Sequence, residues 1–253
     1  ELCRIIESLE QLQNNSAMPF FSALYLLKLK ESAKLEKWRV DFGANWPIWR
    51  SAVADFEALI ALATFVYEHP AYSYPTFSEQ KTYQALELGH PLLPSDQVKC
   101  NDLKLDEQNS LLLISGSNMA GKSTFLRSVG INAVLAQAGA PVFAKSLKLS
   151  LFRFACSIKI SDSLQKGISH FYAEVLRLKK IVELAEESQR PVLYFFDEIL
   201  HGTNSHDRCV AAEGIVRLLM KDQAVGLVTT HDLTLAQIVD DFPEKARNVH
   251  FSE

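Results

Sequence analysis

Gly116-Ser117-Asn118-Met119-Ala120-Gly121-Lys122-Ser123-Thr124 is the stretch on which the reading of this 253-residue chain turns. It follows Leu111-Leu112-Leu113-Ile114-Ser115, an apolar run of strand length, and opens onto Phe125-Leu126-Arg127-Ser128-Val129, which reads as helix. A glycine-bounded loop between a strand and a helix is the context in which the string GxxxxGK[ST] acquires a mechanism. Glycines let backbone N–H groups approach a phosphate closely, and the helix N-terminus adds a favourable field. The stretch therefore predicts that Gly116, Ser117, Asn118, Met119, Ala120, Gly121, Lys122, Ser123 and Thr124 cradle the phosphates of ATP. Lys122 is expected to reach the β and γ phosphates, Ser123 to offer its hydroxyl to Mg²⁺, and Thr124 to add a phosphate contact.

Downstream, Pro191 precedes Val192-Leu193-Tyr194-Phe195-Phe196, five large apolar residues without alternation, as expected of a strand covered on both faces. Asp197-Glu198 follows at the carboxyl edge, where an open α/β sheet places its ligands. Beside a phosphate loop the pair reads as Asp197 holding Mg²⁺ and Glu198 orienting or deprotonating a water. A solvated acidic turn is the plainer alternative. His231 stands one residue past a further apolar strand, Val225 to Thr230, where an imidazole suits contact with a γ phosphate as well as a structural role.

Strands at 83–88, 103–106, 111–115, 192–196 and 225–229, interleaved with helices at 125–138, 171–187 and 207–220, imply an α/β fold with a mainly parallel central sheet. Leu149 to Ile160 has room for strands, and Leu233 to Val239 reads as a short helix. Gly139 suits a helix C-cap and Pro141 prevents continuation. Residues 1–68 look helical, with Leu2, Ile5, Ile6, Leu9 and Leu12 at helical spacing, Pro19 at the first turn of a second helix, and Val53, Phe56, Ile60 and Ala63 on one face of a third. Trp38, Trp46 and Trp49 read as core or helix packing rather than base stacking. His69 to Phe77, rich in proline and aromatics, is the expected boundary between an all-helical domain, 1–77, and an α/β domain, 78–253.

The composition, 48% hydrophobic and 22% charged, is that of a globular protein able to bury a large core. A formal charge of -4 leaves no electrostatic footprint for tight nonspecific nucleic-acid binding by this chain alone. Cys3, Cys100, Cys156 and Cys209 have no metal-ligand spacing and read as reduced thiols of a cytoplasmic protein. The apolar stretch Ala17 to Leu27 is shorter than the ~20 residues of a spanning helix, so no membrane association is implied. Beginning at Glu1 without methionine, the chain reads as part of a longer one.

Taken together these residues resemble the MutS proteins of DNA mismatch repair, specifically their ABC-type P-loop ATPase domain. The family's TGPNMGGKST is similar to Ser115 to Thr124, with Asn118-Met119 the distinctive pair. Its DEIGRGT resembles Asp197 to Thr203, its ATH resembles Thr230-His231, and its STFMVEM is similar to Ser169-His170-Phe171-Tyr172-Ala173-Glu174-Val175. Tyr74-Pro75 and Gly89-His90-Pro91 resemble the family's junction between lever helices and ATPase domain, so the likeness covers about residues 45 to 250.

The resemblance implies a head-to-tail homodimer in which Ser169 of one subunit contacts the γ phosphate held by the other, with a plain helix cap as its alternative role. It also implies that Asn118 lies near the attacking water or γ phosphate and acts with Glu198 and His231 in catalysis. Residues 202–207 are expected to cross the dimer interface, and the lever helices to couple ATP turnover to DNA in the full-length protein. Leu200-His201 replaces the family's Gly-Arg and His170 its Thr, and no Phe-x-Glu mismatch-reading motif is present. The family continues past the segment resembling Asn248 to Phe251, so weak dimerisation is expected here. The alternative reading is a nucleotide-dependent interaction module with weak hydrolysis and a protein or membrane partner.

Overall fold

The computed structural model describes residues 1–14, 26–94, 98–117, 119–158, 170–200, 205–221, 224–231 and 238–252. They fall into two compact units, Glu1–Thr64 and Phe65–Glu253. The first is helical: α1 (Leu2–Asn14), α2 (Leu27–Phe42), a 3₁₀ turn at Gly43–Asn45 and α3 (Trp46–Glu68), which runs on into the second unit. Gly43 opens the 3₁₀ turn between α2 and α3, and Pro47 sits in the first turn of α3, where its missing N–H leaves no hydrogen bond unmade. Pro19 and most of the Ala17–Leu27 stretch lie outside the described residues.

The expected face Val53, Phe56, Ile60 is not covered: these side chains are 57%, 64% and 49% exposed, and Ile5 is the one buried side chain among the described residues of this unit. The tryptophans likewise do not enter a core. Trp38 packs edge-on against Trp46 at 6.2 Å between ring centroids and tilted against Phe42 at 6.0 Å, forming an aromatic corner over the 3₁₀ turn. Among the described residues no helix is long and apolar enough to cross a membrane.

The second unit is α/β. A five-stranded sheet runs in the order β6 (Arg153–Ser157), β7 (Val192–Asp197), β8 (Ala224–Thr229), β4 (Leu111–Gly116), β9 (Ala246–Phe251), and every neighbouring pair is parallel. The other sheet runs β1 (Thr76–Phe77), β5 (Ser146–Leu149), β2 (Thr82–Leu88), β3 (Asn101–Asp106), with antiparallel pairs except β1 beside β5. Helices α4 (Lys122–Gln137), α5 (His170–Glu187), α6 (Ser205–Lys221) and α7 (Ile238–Asp241) complete the unit. The expected helix at 233–239 lies mostly outside the described residues.

The central strands β4, β7 and β8 of the parallel sheet are buried on both faces, which is why they read as apolar runs. Alternate side chains go to opposite sides. Leu112 and Ile114 of β4 join Leu193 and Phe195 of β7 in a core with Phe125, Leu126 and Val129 of α4, while Leu111, Leu113, Tyr194 and Phe196 face Leu178 of α5 and Val216 of α6. Burying a Leu, Ile or Phe contributes roughly 1.5–3 kcal/mol, so these two layers dominate the stability of the unit. Gly226 in β8 lies so close to β7 that a Cβ there would stand 2.4 Å from the Tyr194 carbonyl oxygen.

The packing boundary at Thr64 precedes the boundary expected at residue 77 because the proline-rich segment is tied down rather than free. Ser73 and Val142 exchange backbone hydrogen bonds of 3.2 and 2.8 Å, and the Tyr72 ring stacks on Phe143 at 5.0 Å. A buried asparagine then secures α4, the helix that follows the glycine loop. Asn132 donates to the carbonyls of Gly89 and Ser128 at 2.9 and 2.8 Å and accepts the Phe143 N–H at 2.8 Å. The end of α4 follows the glycine rule: Gly139, at φ 86°, lets the Ala140 N–H return to the Leu135 carbonyl at 3.0 Å.

Replacing Asn132 with Ala leaves the Gly89 carbonyl and the Phe143 N–H without their side-chain partner in a fully buried place. At roughly 1–3 kcal/mol per unsatisfied group, unfolding free energy should drop by about 3 kcal/mol in urea titration. A change below about 0.5 kcal/mol would show that this anchor is dispensable. Gly226→Val should destabilise the chain by about 3 kcal/mol in the same titration through overpacking against β7.

Candidate functional site

The glycine loop expected to bind phosphate sits where β4 ends and α4 begins. Gly116, at φ 144°, passes so near β9 that a Cβ would lie 2.4 Å from the Phe251 carbonyl oxygen, so glycine is required there by both backbone and space. Gly121, at φ 88°, makes the last turn into the helix with open space around it, leaving room for a ligand against the backbone. Met119 is also left-handed, at φ 72°, and its side chain is 99% exposed. Strained backbone of this kind collects at ligand-binding loops.

Lys122 begins the helix with its side chain buried, its ammonium donating to the Gly116 and Ser117 carbonyls at 2.9 and 2.7 Å. The charge therefore lies within the loop, on the atoms that bound it. Next to it, the Ser123 hydroxyl donates to Asp197 Oδ1 at 2.7 Å. Thr229 Oγ1, from the end of β8, donates to the same oxygen at 2.6 Å. One carboxylate oxygen thus gathers the ends of β7 and β8 and the start of α4.

Glu198 leaves β7 in a left-handed turn, at φ 51°, its N–H donating to the carbonyl and the hydroxyl oxygen of Thr229, both at 3.2 Å. Its carboxylate lies 3.5 Å from His231 Nδ1. The Thr230 N–H donates to the Ile114 carbonyl at 3.0 Å, which seats the His231 segment against β4. Lys122, Ser123, Asp197, Glu198 and His231 are therefore brought together at one edge of the sheet. Asn118, Ser169 and residues 201–204 lie outside the described residues.

A cavity of about 630 Å³ opens beside the loop. Met119, Ala120, Gly121 and Thr124 form one wall, and His90, Val98, His250 and Phe251 belong to the others. Its mixture of aromatic, apolar and polar groups suits a flat heterocycle with a polar rim. His90 is held below the usual histidine range by burial and by the neighbouring Arg127 charge, and its Nδ1 accepts the Leu92 N–H at 3.3 Å.

Three contributors escape a reading of the sequence alone. Thr229 ends an apolar strand like many threonines, and only the parallel register beside Asp197 gives it a role. His250 and Phe251 lie far along the chain and reach the loop because β9 pairs with β4, Ser115 opposite His250. Among the described residues no cluster of three or more His, Cys, Asp or Glu side chains could hold a metal. Asp197 and the Ser123 hydroxyl offer hard oxygen donors, the kind Mg²⁺ takes when phosphates and water complete its shell.

The chain matches the family described as MutS domain V over residues 112–253. It is also similar to the DNA mismatch repair protein MutS of Staphylococcus aureus strains JH9, Newman and N315, at 34% identity over 186 residues in each case. That alignment covers 71% of this chain and 21% of each relative, so the chain spans about a fifth of the length of the curated relatives it matches. The glycine loop 116–124 and the Asp197-Glu198 turn both fall inside the matched region, and the chain belongs to the MutS family, whose domain V it carries.

Proposed function

We propose that this chain is the ATP-binding and hydrolysing module of a MutS-like DNA-processing protein, working as half of a nucleotide-dependent dimeric switch of the ABC type. The observation that carries the reading is the Ser123–Asp197 hydrogen bond, which joins the phosphate loop to the end of β7 beside Glu198 and His231. Phosphoryl transfer to water requires little else than positioning and charge stabilisation, and these residue types supply both.

Lys122 has two carbonyl partners within the loop and exchanges them for β and γ phosphate oxygens, a stronger charge-assisted contact. The N–H groups of Gly116 to Thr124 take the remaining phosphate oxygens. Ser123 and Asp197 would hold Mg²⁺, which neutralises charge on the phosphates. Glu198 accepts a proton from the attacking water as its oxygen bonds to the γ phosphorus and the bond to the leaving ADP oxygen breaks, giving ADP and phosphate. His231, 3.5 Å from that carboxylate, helps keep it oriented. The cavity against Met119, Thr124 and His250 takes the nucleoside. Asn118 contributes near the γ phosphate, and Ser169 completes the site of the opposite subunit in the homodimer.

Coupling to DNA belongs to the full-length protein, and what supports it is the likeness to relatives named as DNA mismatch repair proteins. Tests with duplex and branched DNA across a salt series separate that partner from a protein or membrane: affinity for DNA should fall steeply as salt rises.

Glu198→Gln should lower turnover about 10²- to 10³-fold, while binding of a fluorescent ATP analogue stays within about twofold of the parent. Equal losses in both would remove Glu198 from the chemistry. Specific activity should climb with protein concentration and then level off, because each site needs the second subunit. A flat dilution series would sink the shared-site reading.

A further inference from the structure

The turn after β7 holds a second left-handed residue that a general account of phosphate chemistry does not use. Leu200 adopts φ 63°, two residues after Glu198 at φ 51°. A branched side chain at such a φ crowds its own backbone, whereas glycine takes it freely, and the family pattern carries Gly at this place. The leucine is nonetheless fully buried, at 0% exposure, in the same apolar layer as Phe196, Ile199, Leu178 and Ala212.

This placement has a consequence for Glu198. On one side the turn is pinned by Asp197, whose Oδ1 takes the Ser123 and Thr229 hydroxyls. On the other side Ile199 and Leu200 are sunk in the core at 4% and 0% exposure. Between these anchors only the Glu198 side chain faces outward, with its carboxylate beside His231. A glycine at residue 200 relaxes the backbone but removes one of the two anchors.

We propose that Leu200 is a positioning residue: its buried side chain holds the Asp197–Leu200 turn so that the Glu198 carboxylate stays against His231 at the mouth of the phosphate loop. The proposal rests on the hydrolytic reading of this site. It assigns to this chain a way of fixing the acidic turn by apolar anchorage, where the family pattern has a flexible glycine.

The test compares Leu200→Gly, Leu200→Ala and Leu200→Met with the parent chain, at a protein concentration where specific activity has levelled off. Turnover at saturating Mg·ATP should fall at least about tenfold in the Gly variant and be restored to within about threefold by Met, with KM and analogue binding within about twofold throughout. Parent-like turnover in Leu200→Gly overturns the proposal. So does a joint loss of binding and turnover, or loss of cooperative unfolding in both the Gly and Ala variants, since either marks a merely structural leucine.

A parent chain that fails to turn over ATP refutes the hydrolytic function instead, and the positioning claim is then read from the His231 imidazole resonances in ¹H–¹³C spectra. Leu200→Gly and Glu198→Gln should both displace them and Leu200→Met leave them in place. Unmoved resonances in Leu200→Gly overturn it.

Discussion

A single carboxylate oxygen holds the working edge of this molecule together. Asp197 Oδ1 accepts the Ser123 hydroxyl at 2.7 Å and the Thr229 hydroxyl at 2.6 Å, with Asp197 only 7% exposed. A charged group that far from water is tolerated because its donors are fixed in place. The three donors and acceptors come from three separate elements, so the phosphate loop, the acidic turn and the strand leading to His231 cannot drift independently. Pre-organisation of this kind is what the proposed phosphoryl transfer asks of a protein.

The rest of the second unit serves that edge. The three central strands β7, β8 and β4 of the five-stranded parallel sheet are buried on both faces, and the apolar layers on either side draw α4, α5 and α6 against them. Asn132 ties the loop helix to the Gly89 and Phe143 backbones, so the antiparallel sheet and the parallel sheet share a common fastening. Among the described residues of this unit, left-handed non-glycine backbone occurs at Glu87 in β2 and at Met119, Glu198 and Leu200 around the glycine loop and the acidic turn.

The helical unit follows a different logic. Its apolar residues repeat at helical spacing, yet Val53, Phe56 and Ile60 remain exposed, and Trp38, Trp46 and Trp49 meet one another or Phe42 rather than a core. Periodicity reports that a helix has an apolar face, not that anything covers it. The same limit explains the boundary difference near residue 77. Proline and aromatics at 69–77 signal irregular backbone, but Ser73 and Tyr72 find partners at Val142 and Phe143, far along the chain.

By itself the sequence determined the α/β alternation, the central buried strands and the glycine loop, because each rests on local spacing: apolar runs for two-sided burial, Gly116 and Gly121 for close backbone approach, Lys122 and Ser123 at a helix start. It also placed Asp197-Glu198 and His231 at strand ends. Only the tertiary structure decided that the two strand ends lie side by side, that Thr229 clasps Asp197, that β9 brings His250 to the loop, and that Leu200 is sunk in the core at a backbone angle suited to glycine. Strand order is a matter of long-range register, and register is set by packing between residues that no local pattern connects.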